Sequence, residues 1–424
     1  MGQYKTRIAD DILRRKLAGK GAVLIEGAKW CGKTTTAEQV AKSILYMSHP
    51  DEVKQNLQIA DTEPSLLLQG DTPRLIDEWQ IAPKLWDAIR FEVDHRQEPG
   101  QFILTGSAVP PETKEITHTG TGRFTRLRMR PMSLYESGDS TGTVHLSALF
   151  SGESPAVSIG GYDLERLAFL CCRGGWPQAV FMPDAAALDQ AFDYVESVIE
   201  SDIQRVDDIQ KDPDRVRRLM RSYARHQGTP ASADLIRQDI QSNDMQDVSE
   251  NTIYEYLKSL KKIFVIEDVT AWNPNLRSKT AIRTTDTRYY VDPSIGTAML
   301  GLGPADLLHD LETFGFVFET MCIRDLRCYA EALNGKVHHY RDKTGLECDA
   351  VIHLRNGAYG LIEIKLGGDT AIESAAATLK KFRDKIDTGK MKDPSFMMIL
   401  TGLGNYAFRR EDGIMVVPIG SLAP

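Results

Sequence analysis

The stretch that decides the fold runs from Ala22 to Thr34 and reads AVLIEGAKWCGKT. Its first residues, Ala22 to Glu26, are a short apolar run of the kind that forms a buried parallel strand. The remainder matches GxxxxGK(S/T) at every fixed position. Apolar residues at helical spacing then predict a helix from Thr35 to Leu45. Strand, glycine-rich loop and helix in this order predict a phosphate-binding loop, the alternative being a chance glycine turn before a helix.

The chemistry of this loop assigns a role to its residues. Glycines let the backbone approach phosphate oxygens, and the amides at a helix start direct partial positive charge at an anion. Lys33 would reach the β- and γ-phosphates, and the Thr34 hydroxyl would ligate Mg²⁺. The predicted cofactor-binding residues are Gly27, Ala28, Lys29, Trp30, Cys31, Gly32, Lys33, Thr34 and Thr35.

Two later strands end in groups that suit the same site. Arg74 to Glu78 is a short apolar strand closed by two acids: Asp77 suits indirect Mg²⁺ binding, and Glu78 suits polarising the attacking water. The next strand ends with Thr105 and Ser107, either of which could sense the γ-phosphate or orient that water. Because the carboxyl ends of parallel strands converge on the ligand crevice, we expect these side chains to meet there. The alternative is that both are ordinary strand ends.

Arginines follow at the next strand. Arg123 lies between a glycine-flanked loop and the predicted strand Phe124 to Met129, where it could act in a neighbouring subunit by stabilising transition-state charge. Arg126, Arg128 and Arg130 alternate, so they share one face of the strand. That face could serve salt bridges or nucleic-acid contacts.

The middle of the chain is helical. A helix after Pro230, a second from Val248 to Leu260 capped by Ser249, and two predicted strands, Phe264 to Val269 and Arg288 to Val291, together predict a winged helix. Such a module binds DNA or a protein. Its exposed Glu250 and Glu255 would repel phosphates. The best candidate contacts are the basic residues of the wing loop: Arg277, Lys279 and Arg283.

The last third contains a second candidate site. Glu319 on a helix, Asp349 on a strand, and Glu363 and Lys365 on another strand suit Mg²⁺ binding and water activation. A two-residue Asn-Gly turn between the strands would place Asp349 and Glu363 on opposite faces, whereas a three-residue loop or a bulge would put them together. The alternative is that Glu363 and Lys365 simply face solvent.

Composition limits the class of protein. The 424 residues carry 51 Lys and Arg against 59 Asp and Glu, a net charge of −8, which argues against a nucleic-acid coat protein. None of the six cysteines forms a CxxC pair, and no export signal or bilayer-spanning apolar run is present. We therefore expect a cytoplasmic protein without a membrane segment.

The motifs together resemble a family. GAKWCGKTT, LIDEWQIAPKLWDAIRFEVD, FILTGSA, GTGRF and RPMSLYE occur in the order found in bacterial and archaeal AAA-superfamily ATPases that carry a characteristic C-terminal domain of unknown function. The resemblance implies ATP rather than GTP, since no NKxD motif follows. It also places catalytic roles on Glu78, Arg123, and Thr105 or Ser107, and metal binding on Thr34 and Asp77. The carboxylates and lysine of the last third resemble the PD-(D/E)xK nuclease-like fold.

These observations predict an α/β protein with four parts. They are an AAA-type P-loop ATPase domain (1–150), a helical linker or lid (151–228), a winged helix (229–300) and a nuclease-like α/β domain (301–424). The predicted function is Mg²⁺-dependent ATP binding and hydrolysis in a homo-oligomer associated with DNA. One alternative is a nucleotide-controlled regulatory or scaffold switch with protein partners and little turnover, and another is an ATP-gated, Mg²⁺-dependent DNA nuclease.

Overall fold

The computed structural model describes residues 4–106, 120–153, 161–206, 211–244, 248–273, 285–387, 389 and 391–424. Two larger β-sheets, of five and six strands, lie toward opposite ends of the sequence with a helical region between them. A third, two-stranded parallel sheet pairs Val144–His145 with Leu422–Ala423. The predicted Ser107 and the three wing residues Arg277, Lys279 and Arg283 lie outside the described residues.

A parallel sheet organises the first part of the chain. Its strands follow the order β2-β3-β4-β1-β5, and every neighbouring pair is parallel. Helices cover both faces, so one apolar cluster forms with α1 and α2 and another with α3 and α4. The elements are α1 (Ile8–Leu17), β1 (Ala22–Gly27), α2 (Lys33–Glu38), β2 (Ser43–Tyr46), α3 (Val53–Thr62), β3 (Arg74–Asp77), α4 (Leu85–Arg96), β4 (Phe102–Gly106) and β5 (Phe124–Met129). The predicted parallel α/β domain is confirmed, and β4 lies between β1 and β3.

The helix after the phosphate loop is shorter than predicted. We expected it to continue to Leu45, but α2 ends at Glu38, and Ser43–Tyr46 forms β2. β2 pairs in parallel with β3, aligning Ile44 with Leu75 and Tyr46 with Asp77. The spacing of apolar residues fitted a helix, but pairing with a strand distant in sequence overrode that local preference.

Most of the middle region packs around its own apolar core. The buried apolar residues of its first helix, Leu164–Arg173, belong instead to the core of the last part of the chain. The helices of the middle region are α7 (Leu164–Arg173), α8 (Pro177–Val180), α9 (Asp184–Ser197), α10 (Pro213–Arg225), α11 (Ala233–Asp244), α12 (Glu250–Lys262) and α13 (Pro293–Leu300), with a π-helical turn at Val198–Asp202. α5 (Leu134–Ser137), β6 (Val144–His145) and α6 (Leu146–Phe150) precede them.

The two strands expected after α12 are present only as a short antiparallel ribbon. Isolated bridges join Ile266 to Tyr290 and Val269 to Thr287. Between the bridges, the backbone N–H and C=O of Arg288 bond to Thr229 and Gly228 instead of to the ribbon. The sequence predicted a winged helix from two helices followed by these strands, and that assignment stays a prediction.

A mixed sheet forms the last part of the chain, in the order β11-β12-β10-β9-β8-β7. The chain runs from a long helix through three antiparallel strands and a second helix into β10, which is parallel to β9. The long helix packs on one face of the sheet and the second helix on the other. The elements are α14 (Pro304–His309), α15 (Leu311–Ala332), β7 (Gly335–Arg341), β8 (Glu347–Leu354), β9 (Tyr359–Lys365), α16 (Asp369–Lys385), β10 (Phe396–Thr401), β11 (Phe408–Arg409), β12 (Met415–Pro418) and β13 (Leu422–Ala423).

A buried ion network joins the three regions. Arg324 on α15 donates to Asp292 at 2.9 Å, and its Nη2 lies 2.7 Å from Asp325. Asp325 also accepts the backbone N–H of Leu134, and Asp292 accepts that of Gly175. The segment after β5, the turn after α7 and the helix α15 are therefore joined by one ion network.

Among the helices of the described residues, none is both long enough and apolar enough to cross a lipid bilayer.

Candidate functional site

The phosphate loop connects the carboxyl end of β1 to α2. A Cβ atom at Gly27 would lie 2.0 Å from the carbonyl oxygen of Met129, so only glycine fits there. Gly32 has a φ of +95°, a left-handed conformation that glycine adopts without strain. The ammonium group of Lys33 is buried and donates to the carbonyls of Gly27, at 2.9 Å, and Ala28, at 2.8 Å. The lysine therefore spans the concavity of the loop, where phosphate oxygens would replace these carbonyls.

Three of the predicted site residues meet beside the loop. Asp77, at the end of β3, accepts hydrogen bonds from the hydroxyls of Thr34, at 2.7 Å, and Thr105, at 2.6 Å. The carboxylate is almost fully buried. Because β4 lies between β1 and β3, Thr105 lies beside both strands. Thr34 and Asp77 thus place a hydroxyl and a carboxylate oxygen side by side. These are oxygen groups of the kind that Mg²⁺ prefers.

Glu78 follows directly and has a different environment. Its φ of +54° is left-handed, which turns the chain out of β3. Burial raises the pKa of its carboxyl, and the repulsion of Asp77 raises it further, while Lys33 acts in the opposite direction. Gln80 donates to the carboxylate. Gln80 was not predicted, although its position two residues after Glu78 in the same motif could have indicated it.

The helical region closes one side of the loop. Lys29 forms an ion pair with Asp202 at the end of the π-helical turn. Trp30 contacts the Tyr194 ring edge-on at 5.6 Å. A cavity of about 450 Å³ lies between these elements, and its lining includes Glu78. Asp202 and Tyr194 carry no local motif, so sequence analysis could not have found them.

A second cavity, of about 470 Å³, lies on the other side of the loop. Thr35 and Thr36 form part of its wall, and Met132, Phe181 and Met182 make the opposite part largely apolar. The loop therefore has two cavities beside it. Lys29, Glu78 and Asp202 contribute charged groups to the first, and the wall of the second is largely apolar apart from Lys5 and Arg7.

Arg123 lies away from this loop. β5 begins at Phe124 opposite Ala22, so Arg123 is at the amino-terminal edge of the sheet, whereas the phosphate loop is at the carboxyl edge. Five residues of β1 separate the two edges, about 16 Å. Arg123 is exposed and forms an ion pair with Asp94 at 2.6 Å. Contact with a nucleotide would therefore require the loop of another subunit.

The alternating arginines of β5 and Arg130, directly after it, are engaged in ion pairs. Arg126 and Arg128 both contact Glu26, at 2.9 and 3.3 Å. Arg130 contacts Glu267 at 2.7 Å and Glu331 at 3.0 Å. Of the two roles left open by the sequence, salt bridging is the one observed.

Two carboxylates of the last third, Asp349 and Glu363, lie on one face of the sheet, whereas Glu319 lies on the helix α15. β8 pairs with β9 in a register that aligns Ala350 with Ile362 and His353 with Tyr359, so one step further Asp349 opposes Glu363. Leu354 N–H bonds to the Ala358 carbonyl, which leaves residues 355–357 as a three-residue loop. The structure therefore has the odd loop that brings Asp349 and Glu363 together.

Lys365 connects these two carboxylates. Its ammonium lies 2.9 Å from Asp349 and 3.0 Å from Glu363. Burial acts to lower the pKa of Lys365, but the two carboxylates outweigh it and raise the pKa. Burial, followed by the charge of Asp349, raises the pKa of both Glu363 and Glu319. Tyr289, which sequence analysis missed, donates to Glu319.

The cluster of Asp349, Glu363 and Lys365 has only some of the features of a cation-binding site. Oε1 of Glu363 is buried and has no hydrogen-bond partner among the described residues, which is the state of an oxygen available to a ligand. However, no three His, Cys, Asp or Glu side chains in the described part of the chain are arranged as a metal site. Binding a divalent ion here would require the Lys365 ammonium to move away.

Comparison with known proteins divides the chain into three matched segments. Residues 19–138 match the family model of an AAA domain. Residues 164–306 and 314–422 match two models that are each described as a domain of unknown function, DUF8612 and DUF4143. The relatives include two uncharacterized proteins, Mb2031c of Mycobacterium bovis and Rv2008c of Mycobacterium tuberculosis. Each is 24% identical over 358 residues, which are 83% of this chain and 72% of the relative.

Two solved structures are distantly similar. The Walker-type ATPase PABY2304 of Pyrococcus abyssi is 14% identical, with 70% of this chain and 98% of that chain covered and a TM-score of 0.43. The ORC1 protein of Aeropyrum pernix, solved in complex with DNA, is 12% identical, with coverages of 70% and 93% and a TM-score of 0.25. Neither likeness is close enough to assign a ligand to this chain.

Residues 19–138 are therefore similar to an AAA domain, and the loop within them has the geometry of a phosphate-binding loop. This similarity supports ATP binding. The remaining matched segments carry no assigned activity.

Proposed function

We propose that the protein binds and hydrolyses ATP with Mg²⁺ as cofactor. The observation that carries this proposal is the convergence of Thr34, Asp77 and Thr105 beside the loop that holds Lys33. Thr34 and Asp77 would hold Mg²⁺, which neutralises charge on the transferred phosphoryl group when bound. Lys33 would leave its carbonyl partners for the β- and γ-phosphates.

The surrounding residues have distinct roles in this proposal. Glu78 orients the attacking water and accepts its proton, and its raised pKa makes it a better base than an exposed carboxylate. The apolar cavity beside Thr35 and Thr36 would hold the adenine ring. Lys29 and Asp202 would keep the helical region closed over the phosphates. Arg123 would act in trans within a homo-oligomer, because it lies at the opposite edge of its own sheet.

ATP turnover by the purified chain tests this proposal. Phosphate release is measured for the wild type, Lys33→Ala and Glu78→Gln, with Glu165→Gln as a control because Glu165 is an exposed acid distant in sequence from the loop. We expect turnover in the wild type and the control only. Tight ATP binding without turnover would instead favour a nucleotide-controlled switch. Normal turnover by Glu78→Gln would refute the assigned base.

DNA is the proposed macromolecular partner. Support comes from α11, α12 and the ribbon at Ile266 to Tyr290, which have the order of a winged helix. Against contact through α12 stand the exposed Glu250 and Glu255. The experiment is to compare ATP turnover with and without single-stranded, duplex and branched DNA, and no effect of any of them would count against DNA as a regulator.

A second candidate function is Mg²⁺-dependent DNA cleavage by the C-terminal domain. Its support is the αβββαβ order from α15 to β10 and the grouping of Asp349, Glu363 and Lys365 on one face. Glu319 would complete the site from α15. In cleavage, Asp349 and Glu363 would hold the cation, and Lys365 would steer the water.

Plasmid cleavage with Mg²⁺ tests this second candidate. Loss of cleavage in Asp349→Ala, with Asp189→Ala as an exposed matched control, would support it. Additional loss in Lys33→Ala would indicate that ATP gates the reaction. Cleavage retained in Lys33→Ala would indicate a nuclease without that gate, and no cleavage by the wild type would leave the domain as a binding module.

A further inference from the structure

A large cleft lies where the three parts of the chain meet. It has a volume of about 700 Å³ and opens between α1 and the edge strand β5 on one side and α15, β7 and β8 on the other. The ribbon residues Glu267, Asp268 and Thr270 also line it. The cleft shares no lining residue with the carboxylate site of Asp349 or with the two cavities beside the phosphate loop.

The lining of this cleft is strongly cationic although the chain is acidic overall. It contains eight Lys or Arg and four Asp or Glu side chains, against a net charge of −8 for the whole protein. Each of the four acids is near at least one cation. Glu26 contacts two arginines of β5, and Glu267 contacts Arg130 and Arg327. The four acids therefore leave an excess of positive charge in the cleft.

The excess is concentrated on opposing rims. Lys336 on β7 and Arg355 after β8 are exposed, and neither forms an ion pair with a described residue. From α1, Arg15 donates to the backbone carbonyl of Ala332 at 3.1 Å. Burial lowers the pKa of Lys16, and Arg355 and Arg15 lower it further against the attraction of Glu331. These cations are thus close enough to repel one another, which an anion between the rims would relieve.

The chemistry of the lining favours a phosphate backbone over a base or a hydrophobic partner. Arginine forks bind phosphate with two hydrogen bonds, and lysine binds it as a point charge. No Phe, Tyr or Trp is among the residues that line the cleft, and His338 and His353 are its only aromatic lining residues, so cationic groups outnumber the rings on which bases could stack.

We propose that this cleft binds the phosphodiester backbone of a nucleic acid, with Arg15 and Lys16 on one rim and Lys336 and Arg355 on the other. The site differs from the recognition helix of a winged helix and from the carboxylate cluster. The inference rests on the nucleic-acid partner proposed above but not on ATP turnover. Binding is independent of sequence, since backbone contacts position a nucleic acid without reading its bases.

The test is a fluorescence anisotropy titration of labelled duplex and single-stranded DNA over a series of salt concentrations. Lys336→Glu/Arg355→Glu alters one rim, and Arg15→Gln alters the other. The control, Lys42→Glu/Lys54→Glu, makes the same change in net charge at exposed lysines of the ATPase domain. ATP turnover without DNA is measured in parallel for every variant, and thermal unfolding reports on folding.

Loss of two phosphate contacts should weaken binding roughly 10- to 100-fold at about 0.1 M salt and make the slope of log K against log salt shallower by about 2. Arg15→Gln should lower affinity in the same direction, and the control should bind as the wild type. ATP turnover without DNA should be unchanged in the rim variants and in the control. A failure of the cleft proposal can therefore be distinguished from a failure of the ATPase proposal. Binding of either duplex or single-stranded DNA with this salt dependence supports the proposal that the cleft binds a nucleic-acid backbone.

Four results would overturn the proposal, the first three from the titrations themselves. Those three are the absence of DNA binding by the wild type, an equal loss in the control, and wild-type affinity in the rim variants. Competition by polyglutamate as effective as that by DNA would also overturn it, since the cleft would then be a general anion trap.

Discussion

Arg324→Met should destabilise the protein through the buried ion network that joins its three parts. In the native chain, the Arg324 guanidinium is 1% exposed, and the side chains of Asp292 and Asp325 are 0% exposed. Methionine has a similar length but no charge, so the variant would retain two buried carboxylates without their cation. Breaking a buried pair from one side costs about 3–5 kcal/mol, a large part of a typical free energy of unfolding of about 5–15 kcal/mol.

The pH dependence follows from Asp325. Burial raises the pKa of Asp325 to about 6, against the opposing effect of Arg324. A carboxyl whose pKa is higher in the folded than in the unfolded state contributes stability that is present at low pH and lost as the pH rises through the folded pKa. Without Arg324, this loss should grow. The deficit of the variant should therefore be largest at about pH 8 and shrink toward pH 5.

Urea unfolding at several pH values measures this effect. Arg14→Met is the matched control, because Arg14 forms an exposed pair with Asp11 and should matter little. Adding Asp292→Asn and Asp325→Asn to Arg324→Met removes the stranded charges and should restore part of the stability. A deficit below about 1 kcal/mol, or one that is larger at low pH, would refute the reasoning.

Further predictions concern the two candidate sites. Lys33→Ala should abolish detectable ATP binding by calorimetry, because the residue that spans the loop is lost; binding equal to the wild type would contradict this role. Glu78→Gln should lower ATP turnover by about 10²- to 10⁴-fold while preserving ATP binding, and wild-type activity should fall as the pH drops through the raised pKa of Glu78. Arg123→Ala should reduce turnover only at protein concentrations at which subunits associate, as followed by light scattering; an equal loss at every concentration would argue against action in trans. Asp349→Asn should remove any stabilisation by Mg²⁺ in thermal unfolding without nucleotide, and an unchanged Mg²⁺ effect would place the ion elsewhere.

Some features were readable from the sequence because they depend on neighbouring residues. Strands β1, β3 and β4 are short apolar runs, and each ends in the polar group expected at the carboxyl edge of a parallel sheet. From this, Thr34, Asp77 and Thr105 could be predicted to meet, and their hydroxyl and carboxylate oxygens do lie within hydrogen-bonding distance. The loop before α2 was equally readable, since glycine is required wherever the backbone passes close to another strand.

Local patterns failed where partners are distant in sequence. Apolar spacing predicted a helix to Leu45, but pairing with β3 converted Ser43–Tyr46 into a strand. The sequence was compatible with either a two-residue turn or a three-residue loop between β8 and β9. Only the register of the paired strands selected the three-residue loop that puts Asp349 beside Glu363.

The contacts between the parts of the chain belong wholly to the tertiary structure. Lys29 meets Asp202, Arg324 meets Asp292, and the cationic rims around Lys336 converge only after three separate regions have packed together. The chemistry of the phosphate loop was therefore determined by contiguous residues. The closure of the helical region over this loop and the formation of the cationic cleft were decided by packing, because burial and charge pairing depend on which distant segments come into contact.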